Sequence, residues 1–274
     1  MKHYLSVCAV YRDEGPYLAE WIEFHRLMGV ERFFLYDNTS EDEHLAVLAP
    51  YIEEGTVVLH DGGPEPVREG GQASRYERCL AEHGAQSRWI AFLDLDEFLF
   101  SPMGSPLTNV LVDYEQWPGV GVERAWFGTS GHRTKPPGLV IENYTRRRVE
   151  REPRHSIKSI VDPSRTVRCV NPHEFIYRDG LAVDEFEQPI RGVFTSSDSF
   201  ERLRVNHYYT KSEAECAARL EAWNRTHPSY DAVRPSGARH DRFNQVEDDI
   251  LVRYVPAVNS ALERRAGAAA RERG

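Results

Sequence analysis

The chain has 274 residues, 41% of them hydrophobic and 28% charged, the composition of a globular protein with one large domain or two small ones. Its 43 acidic residues outnumber its 34 basic ones for a formal net charge of -9, which argues against a surface built to neutralise nucleic-acid phosphates. No apolar run approaches the roughly 20 residues of a membrane-spanning helix, and the opening MKHYLSVCAVYRDEG meets Arg12, Asp13 and Glu14 too early for a secretory leader.

The first hundred residues alternate between two periods. Leu5 to Tyr11 reads as a buried strand. Gly15-Pro16 opens a helix whose apolar face is Leu18, Trp21, Ile22, His25 and Met28, with Gly29 as its stop. Phe33 to Asp37 is a second strand, and Ser40-x-x-Glu43 predicts a capping box for a helix through Leu45, Leu48 and Ile52 to Gly55. Thr56 to Asp61 is a third strand, followed by a loop with Gly62, Gly63, Gly70 and Gly71. A helix through Tyr76, Cys79 and Leu80 closes at Gly84, and Trp89 to Phe98 is a fourth strand. This βαβαβαβ order predicts an α/β fold, a mostly parallel sheet with helices on both faces. Such sheets bind ligands beyond the carboxyl ends of their strands, and here Asp37, Asp61, Asp94 and Asp96 stand at those ends.

The second half is mixed. Short β-like runs occur at GVGVERAWF, LVIENYT, HSIKSIV, TVRCV and EFIYR, with turns at Pro136-Pro137 and Pro153. Ser212-x-x-Glu215 predicts a capped helix to Asn224, and the end from Glu247 reads as helix fraying in an Ala- and Arg-rich tail. We expect one domain over 1–260, with a frayed tail over 261–274. A basic run (Arg146, Arg147, Arg148, Arg151, Arg154, Lys158, Arg165, Arg168, Arg178) suits either a solvated strand face or a small anionic ligand. Cys8, Cys79, Cys169 and Cys216 are widely spaced without a CxxC pair, so zinc and redox motifs are unsupported and a reduced, cytoplasmic compartment is expected.

Asp94-Leu95-Asp96 is the main chemical signal. On an extended chain two such carboxylates face one side and repel unless a cation lies between them. Mg2+ and Mn2+ prefer hard oxygen ligands of this kind and bring substrate phosphates with them. A DxD that carries an aspartyl nucleophile usually ends the first strand; this one ends the fourth. No GxGxxG follows the first strand, and neither GxxxxGK[ST] nor GxSxG occurs.

The stretches YRDEGPYLAEWIEFHRLMGVERFFLYDNTSED, QASRYERCL, WIAFLDLDEFL, WFGTSGH, KSIVDPSRTV and VNHYYTKSEAEC make the chain resemble the GT-A (Rossmann-like) glycosyltransferases, and among them glycosyltransferase family 92 and its bacterial relatives. The resemblance implies inverting transfer of a sugar, often galactose, from a UDP-sugar donor with Mn2+ (or Mg2+) to a glycan or other hydroxyl acceptor. It implies a nucleotide-sugar half over 1–100 and an acceptor half over 101–260. Tyr11, Arg12 and Glu14 match the nucleotide cradle, Asp37 and Asn38 the acid and amide that read uracil and ribose, and Gln72, Arg75 and Tyr76 a helix face under the donor. Asp94 and Asp96 match the metal acids, with Glu97 a possible helper. His207 is the expected third ligand, Lys158 the expected diphosphate contact, and Trp126 to His132 the acceptor loop. Glu174, His173 and Glu123 are the candidates for the general base. A non-catalytic module that binds a nucleotide sugar or a glycan is the alternative.

Overall fold

The computed structural model describes residues 3–63, 71–149, 155–195, 199–226 and 242–272. Gly70, Arg151, Pro153 and Arg154 lie outside them. The chain divides into two compact units. One comprises 1–124, 153–205 and 257–274; the other comprises 125–152 and 206–256.

In chain order the elements are β1 (His3–Tyr11), α1 (Gly15–Leu27), β2 (Arg32–Asp37), α2 (His44–Glu53), β3 (Val57–Asp61), α3 (Gln72–His83), β4 (Ser87–Leu93), β5 (Glu97–Phe100), α4 (Leu107–Leu111), β6 (Gly119–Trp126), α5 (Val140–Asn143), β7 (Arg146–Arg147), β8 (His155–Val161), β9 (Thr166–Asn171), β10 (Glu174–Tyr177), β11 (Phe194–Thr195), β12 (Arg204–His207), α6 (Glu213–Thr226), β13 (Val246–Glu247) and α7 (Val255–Glu272). The main sheet runs β3-β2-β1-β4-β8-β6-β12-β5. Its first four strands are parallel, and β8 returns antiparallel between β4 and β6.

Sequence alternation decides which side each helix covers. Phe33 and Phe34 are neighbours on β2 and therefore point to opposite faces. Phe33 meets Trp21 of α1, at 5.7 Å between ring centroids. Phe34 stacks on His83 of α3 at 4.2 Å. The α3 face holds Cys8, Val10, Phe34, Tyr36, Tyr76, Cys79, Ile90, Phe92, Cys169 and Phe175 in one buried cluster. Cys8, Cys79, Cys169 and Cys216 are all free and buried.

Several local expectations change in three dimensions. The first predicted capping box does not form: α2 begins at His44 without a side-chain cap. Ser40 instead accepts a hydrogen bond from the Asp13 amide at 2.9 Å, because the loop after β2 folds onto the loop after β1. The second does form, with Ser212 and Glu215 bonded reciprocally at 3.1 and 3.3 Å. The run LVIENYT holds the short helix α5 rather than a strand, with Asn143 donating to the Leu139 carbonyl one turn back. The strand predicted over 89–98 is two strands with a turn at 94–96 between them. The helix expected near the C-terminus spans Val255–Glu272. Arg265 bonds Glu23, reaches Glu54 at 2.6 Å and covers the Tyr51 ring, contacts that local sequence does not reveal.

Candidate active site

Because β1 to β4 are parallel, their carboxyl ends share one edge. Tyr11, Asp37 and Asp61 pair in register across it. Asp13, with φ of 54°, turns the chain out of β1. Its carboxylate accepts the Glu41 amide at 2.7 Å, and the Asp42 carboxylate accepts the Gly15 amide at 2.7 Å, so the two loops are laced together. Tyr11 is buried beside the His44 ring, and its hydroxyl has no hydrogen-bond partner among the described residues. Arg12 is exposed and pairs with Asp13 at 3.4 Å. Glu14 occupies the position before the first turn of α1.

Asp37 accepts the Ser40 amide at 3.0 Å through its side chain and the Gly62 amide at 2.7 Å through its carbonyl. Position 62 must be glycine: a Cβ there would lie 2.5 Å from the Asp37 oxygen. Arg75, which could have been a surface charge, is instead buried. It donates to the carbonyls of Gly62 and Gly63 at 2.7 and 2.8 Å and to Asn38 Oδ1 at 2.8 Å. It therefore fixes Asn38 and the start of the glycine loop together.

Asp94 and Asp96 do not lie on an extended strand. The Glu97 amide donates to the Asp94 carbonyl at 3.1 Å and closes a turn. Gln72 donates to Asp94 Oδ1 at 2.8 Å and to the Tyr76 hydroxyl at 2.9 Å. Lys158 Nζ lies 2.7 Å from Asp94 Oδ2 and 3.1 Å from Glu97 Oε2. Arg124 donates to the other Glu97 oxygen at 3.1 Å. Burial disfavours the Lys158 ammonium, but Asp94 and Glu97 outweigh it and hold its pKa above that of an ordinary lysine. Lys158, expected at the diphosphate, pairs internally here: β8 runs antiparallel beside β4 and delivers the ammonium to the acid turn.

The two acids of this turn are hard oxygen donors and fit a divalent cation of the Mg2+ or Mn2+ kind. Asp94 Oδ1 accepts from Gln72 and Oδ2 from Lys158, and a carboxylate oxygen carries more than one lone pair. Asp96 is partly exposed, and Lys158 and Arg124 offset the charge of Glu97 behind the turn.

His173 and Glu174 line a cavity of about 340 Å3 with Ile157, Ser159, Tyr177 and Arg191. The His173 Nδ1–H donates to the Ile157 carbonyl at 2.7 Å. Burial, then Lys158 and Arg124, push its pKa down to about 4. Glu174 accepts from Asn171 at 3.3 Å. Glu123 lines a different void, of about 10 Å3, with Asp184, Glu185 and Thr195.

In the other unit, His207 is buried and packs on Trp126 at 4.6 Å between ring centroids. Trp126 also contacts Tyr209 and Phe243. The loop after it turns through Ser130 and Gly131, both at positive φ, and Asn244 accepts the Ser130 amide. Much of the basic run is paired: Arg146 with Glu247, Arg147 with Asp248, and Arg165 with Asp179.

Sequence reasoning missed the role of Arg124, whose visible signal was only a charge inside an apolar strand. It also missed a group formed by His60, Glu82 and His83, whose ligand atoms all lie within 4.8 Å of one another. His60 is 22 residues from Glu82, which hides the grouping in the sequence.

Parallel strands ending in acids, helices on both faces and an antiparallel return beside the fourth strand define a GT-A type of α/β fold. Residues 2–190 match the sequence profile of glycosyltransferase family 92. A family 92 protein of Arabidopsis thaliana is 33% identical over 197 residues, 66% of this chain and 33% of the relative. One of Ricinus communis is 32% identical over 215 residues, 75% of this chain and 35% of the relative. The galactan beta-1,4-galactosyltransferase GALS2 of Arabidopsis thaliana is 27% identical, across 70% of this chain and 39% of that protein. The chain belongs to glycosyltransferase family 92, and it spans about a third of the length of the family relatives it matches.

Among solved structures, S. aureus TarS is similar with a TM-score of 0.39 at 15% identity, covering 60% of this chain and 48% of that one. Glucosyl-3-phosphoglycerate synthase of Mycobacterium tuberculosis, solved with Mn2+, UDP and glucosyl-3-phosphoglycerate, has a TM-score of 0.34 at 18% identity, covering 59% and 57%. Among the described residues no helix is long and apolar enough to cross a membrane.

Proposed function

We propose that this chain is an inverting glycosyltransferase that moves a sugar, galactose by preference, from a UDP-sugar to a hydroxyl of a glycan or related acceptor. The observation that carries the reading is the acid turn at 94–96, tied to Gln72 and Lys158 at the carboxyl edge of the parallel sheet in a family 92 chain. The galactosyltransferase relatives support galactose as the sugar.

In this reading Asp94 and Asp96 hold a divalent cation, which when bound supplies charge neutralisation for a departing diphosphate. Gln72 and Lys158 fix the rotamer of Asp94 before substrate arrives. Asp37 and Asn38 present an acceptor and an amide to the uridine, and Arg75 locks Asn38 in place. The unpartnered Tyr11 hydroxyl would be satisfied by a polar atom of the donor. Glu174 takes the proton of the acceptor hydroxyl. It is preferred over His173 because proton uptake would add a third cation beside Lys158 and Arg124, whereas a protonated carboxyl is neutral. A cavity of about 340 Å3 falls within the roughly 300–1,000 Å3 of small-molecule sites. Inversion needs one base and a stabilised leaving group; double displacement would need a protein nucleophile beneath the anomeric carbon.

The test is UDP release from UDP-galactose, first without acceptor and then with galactan oligosaccharides, with and without Mn2+. Metal-dependent turnover giving a β-linked product by proton NMR is expected. Donor binding without turnover under every acceptor would favour a binding module, and an α-linked product would overturn inversion.

A further inference from the structure

On the edge strand of the sheet, away from the acid turn in sequence, two imidazoles and a carboxylate converge. His60 of β3 and His83 of α3 bring their Nε2 atoms to 2.8 Å. Glu82 Oε2 lies 3.8 Å from His83 Nε2 and 3.9 Å from His60 Nδ1. The other Glu82 oxygen is held by Arg78 at 2.8 Å, which sets the direction of the free one. The rings are held too: His60 stacks on Tyr36 at 4.6 Å and His83 on Phe34 at 4.2 Å. Gln86 Nε2 lies 3.0 Å from His83 Nδ1.

We propose that His60, Glu82 and His83 form a Zn2+ site that ties α3 to β3. Two imidazole nitrogens and one carboxylate oxygen are a common zinc donor set, with water in the fourth position. Tetrahedral bonds of about 2.0–2.1 Å separate ligand atoms by roughly 3.3 Å, so the two Nε2 atoms open, and Glu82 Oε2 closes on His83 Nε2, by about half an ångström each. Glu82 is 42% exposed and lets solvent reach the fourth position. On binding, each Nε2 gives its lone pair to the cation. The hydrogen held between them moves to His83 Nδ1, and Gln86 turns its amide oxygen to accept it. Burial keeps both imidazole pKa values below the ordinary value, so the lone pairs are available at neutral pH. The two nitrogens favour zinc over Mn2+ or Mg2+, which the oxygen ligands of the 94–96 turn suit better.

The test is equilibrium dialysis against Zn2+ with Mg2+ in excess, together with thermal melting. The wild-type chain should bind one more zinc than His83→Gln or His60→Gln. At free zinc a hundredfold above its dissociation constant, only the wild type should gain about 5 °C. Glu82→Gln alters an exposed side chain and should weaken zinc binding at least about tenfold, which keeps the test open if a histidine variant does not fold. Equal zinc stoichiometry and equal thermal shift in wild type and variants would overturn the site, as would no zinc binding by the wild type at micromolar metal.

Discussion

Replacing Lys158 with methionine separates an internal counter-ion from a ligand-facing charge. Methionine keeps most of the stem and removes the ammonium that lies 2.7 Å from Asp94 and 3.1 Å from Glu97. The Lys158 and Glu97 side chains are 1% and 0% exposed, so water cannot replace the ammonium at Glu97. Removing one partner of a buried pair costs about 3–5 kcal/mol. Here Arg124 stays on Glu97 at 3.1 Å and Asp94 is 35% exposed, which places the loss at the lower end, about 3 kcal/mol. With an unfolding entropy of roughly 2.1 cal/mol/K per residue over 274 residues, the melting point falls by about 5 °C. Chemical denaturation and thermal melting measure the effect, and adding Glu97→Gln should recover part of it by removing the stranded charge. The Lys158 pKa in the folded state lies above its unfolded value, so its contribution is complete below about pH 10.4 and is lost only as pH rises through the folded value. The gap between wild type and Lys158→Met should therefore stay constant from pH 6 to 9. A variant as stable as the wild type but weakened in UDP binding would refute this account and restore Lys158 to the diphosphate.

Asp96→Asn should lower metal-dependent transfer at least about 100-fold while leaving the melting point of the metal-free chain nearly unchanged; full activity would sink the metal assignment. Stability should fall as pH drops from about 6.5 toward 4, ahead of most carboxylate titration. His25, held to about 3 by burial, donates from Nδ1 to the Trp21 carbonyl and accepts the Leu99 amide at Nε2, so protonation removes an acceptor; His173, held to about 4, acts in the same direction. Denaturation at pH 7, 5.5 and 4.5 checks this, and a flat profile between 7 and 5.5 contradicts it. Arg265→Ala should cost about 1–2 kcal/mol by releasing α7 from Glu23, Glu54 and the Tyr51 ring, read by denaturation; no change would mean that these contacts contribute nothing to the fold's stability.

The basic run shows why charge in sequence is a poor guide to a ligand. Arg146, Arg147 and Arg165 are taken by Glu247, Asp248 and Asp179. Two of those three partners are 101 residues from their arginines, beyond any local pattern. The two predicted capping boxes make the same point. Ser212 and Glu215 cap α6 through reciprocal bonds within one turn, while Ser40 is claimed by the Asp13 amide across the sheet edge.

The sequence by itself determined the alternation of strands and helices, the parallel order of the first four strands and the line of acids at their carboxyl ends. Burial of apolar residues at periods of two and 3.6 is a local property of the chain, and it carries that information. It also carried the family, through motifs spread from Tyr11 to His207. Only the tertiary structure decided that Asp94 and Asp96 sit in a turn, that Lys158 is the buried counter-ion of Asp94 and Glu97, that Arg75 is a positioning residue for Asn38, and that His60 meets His83. Each of these pairs joins separate elements at a distance of a few ångströms. A charge or an imidazole takes its role from the groups that replace its water, and those groups are chosen by the packing of the sheet.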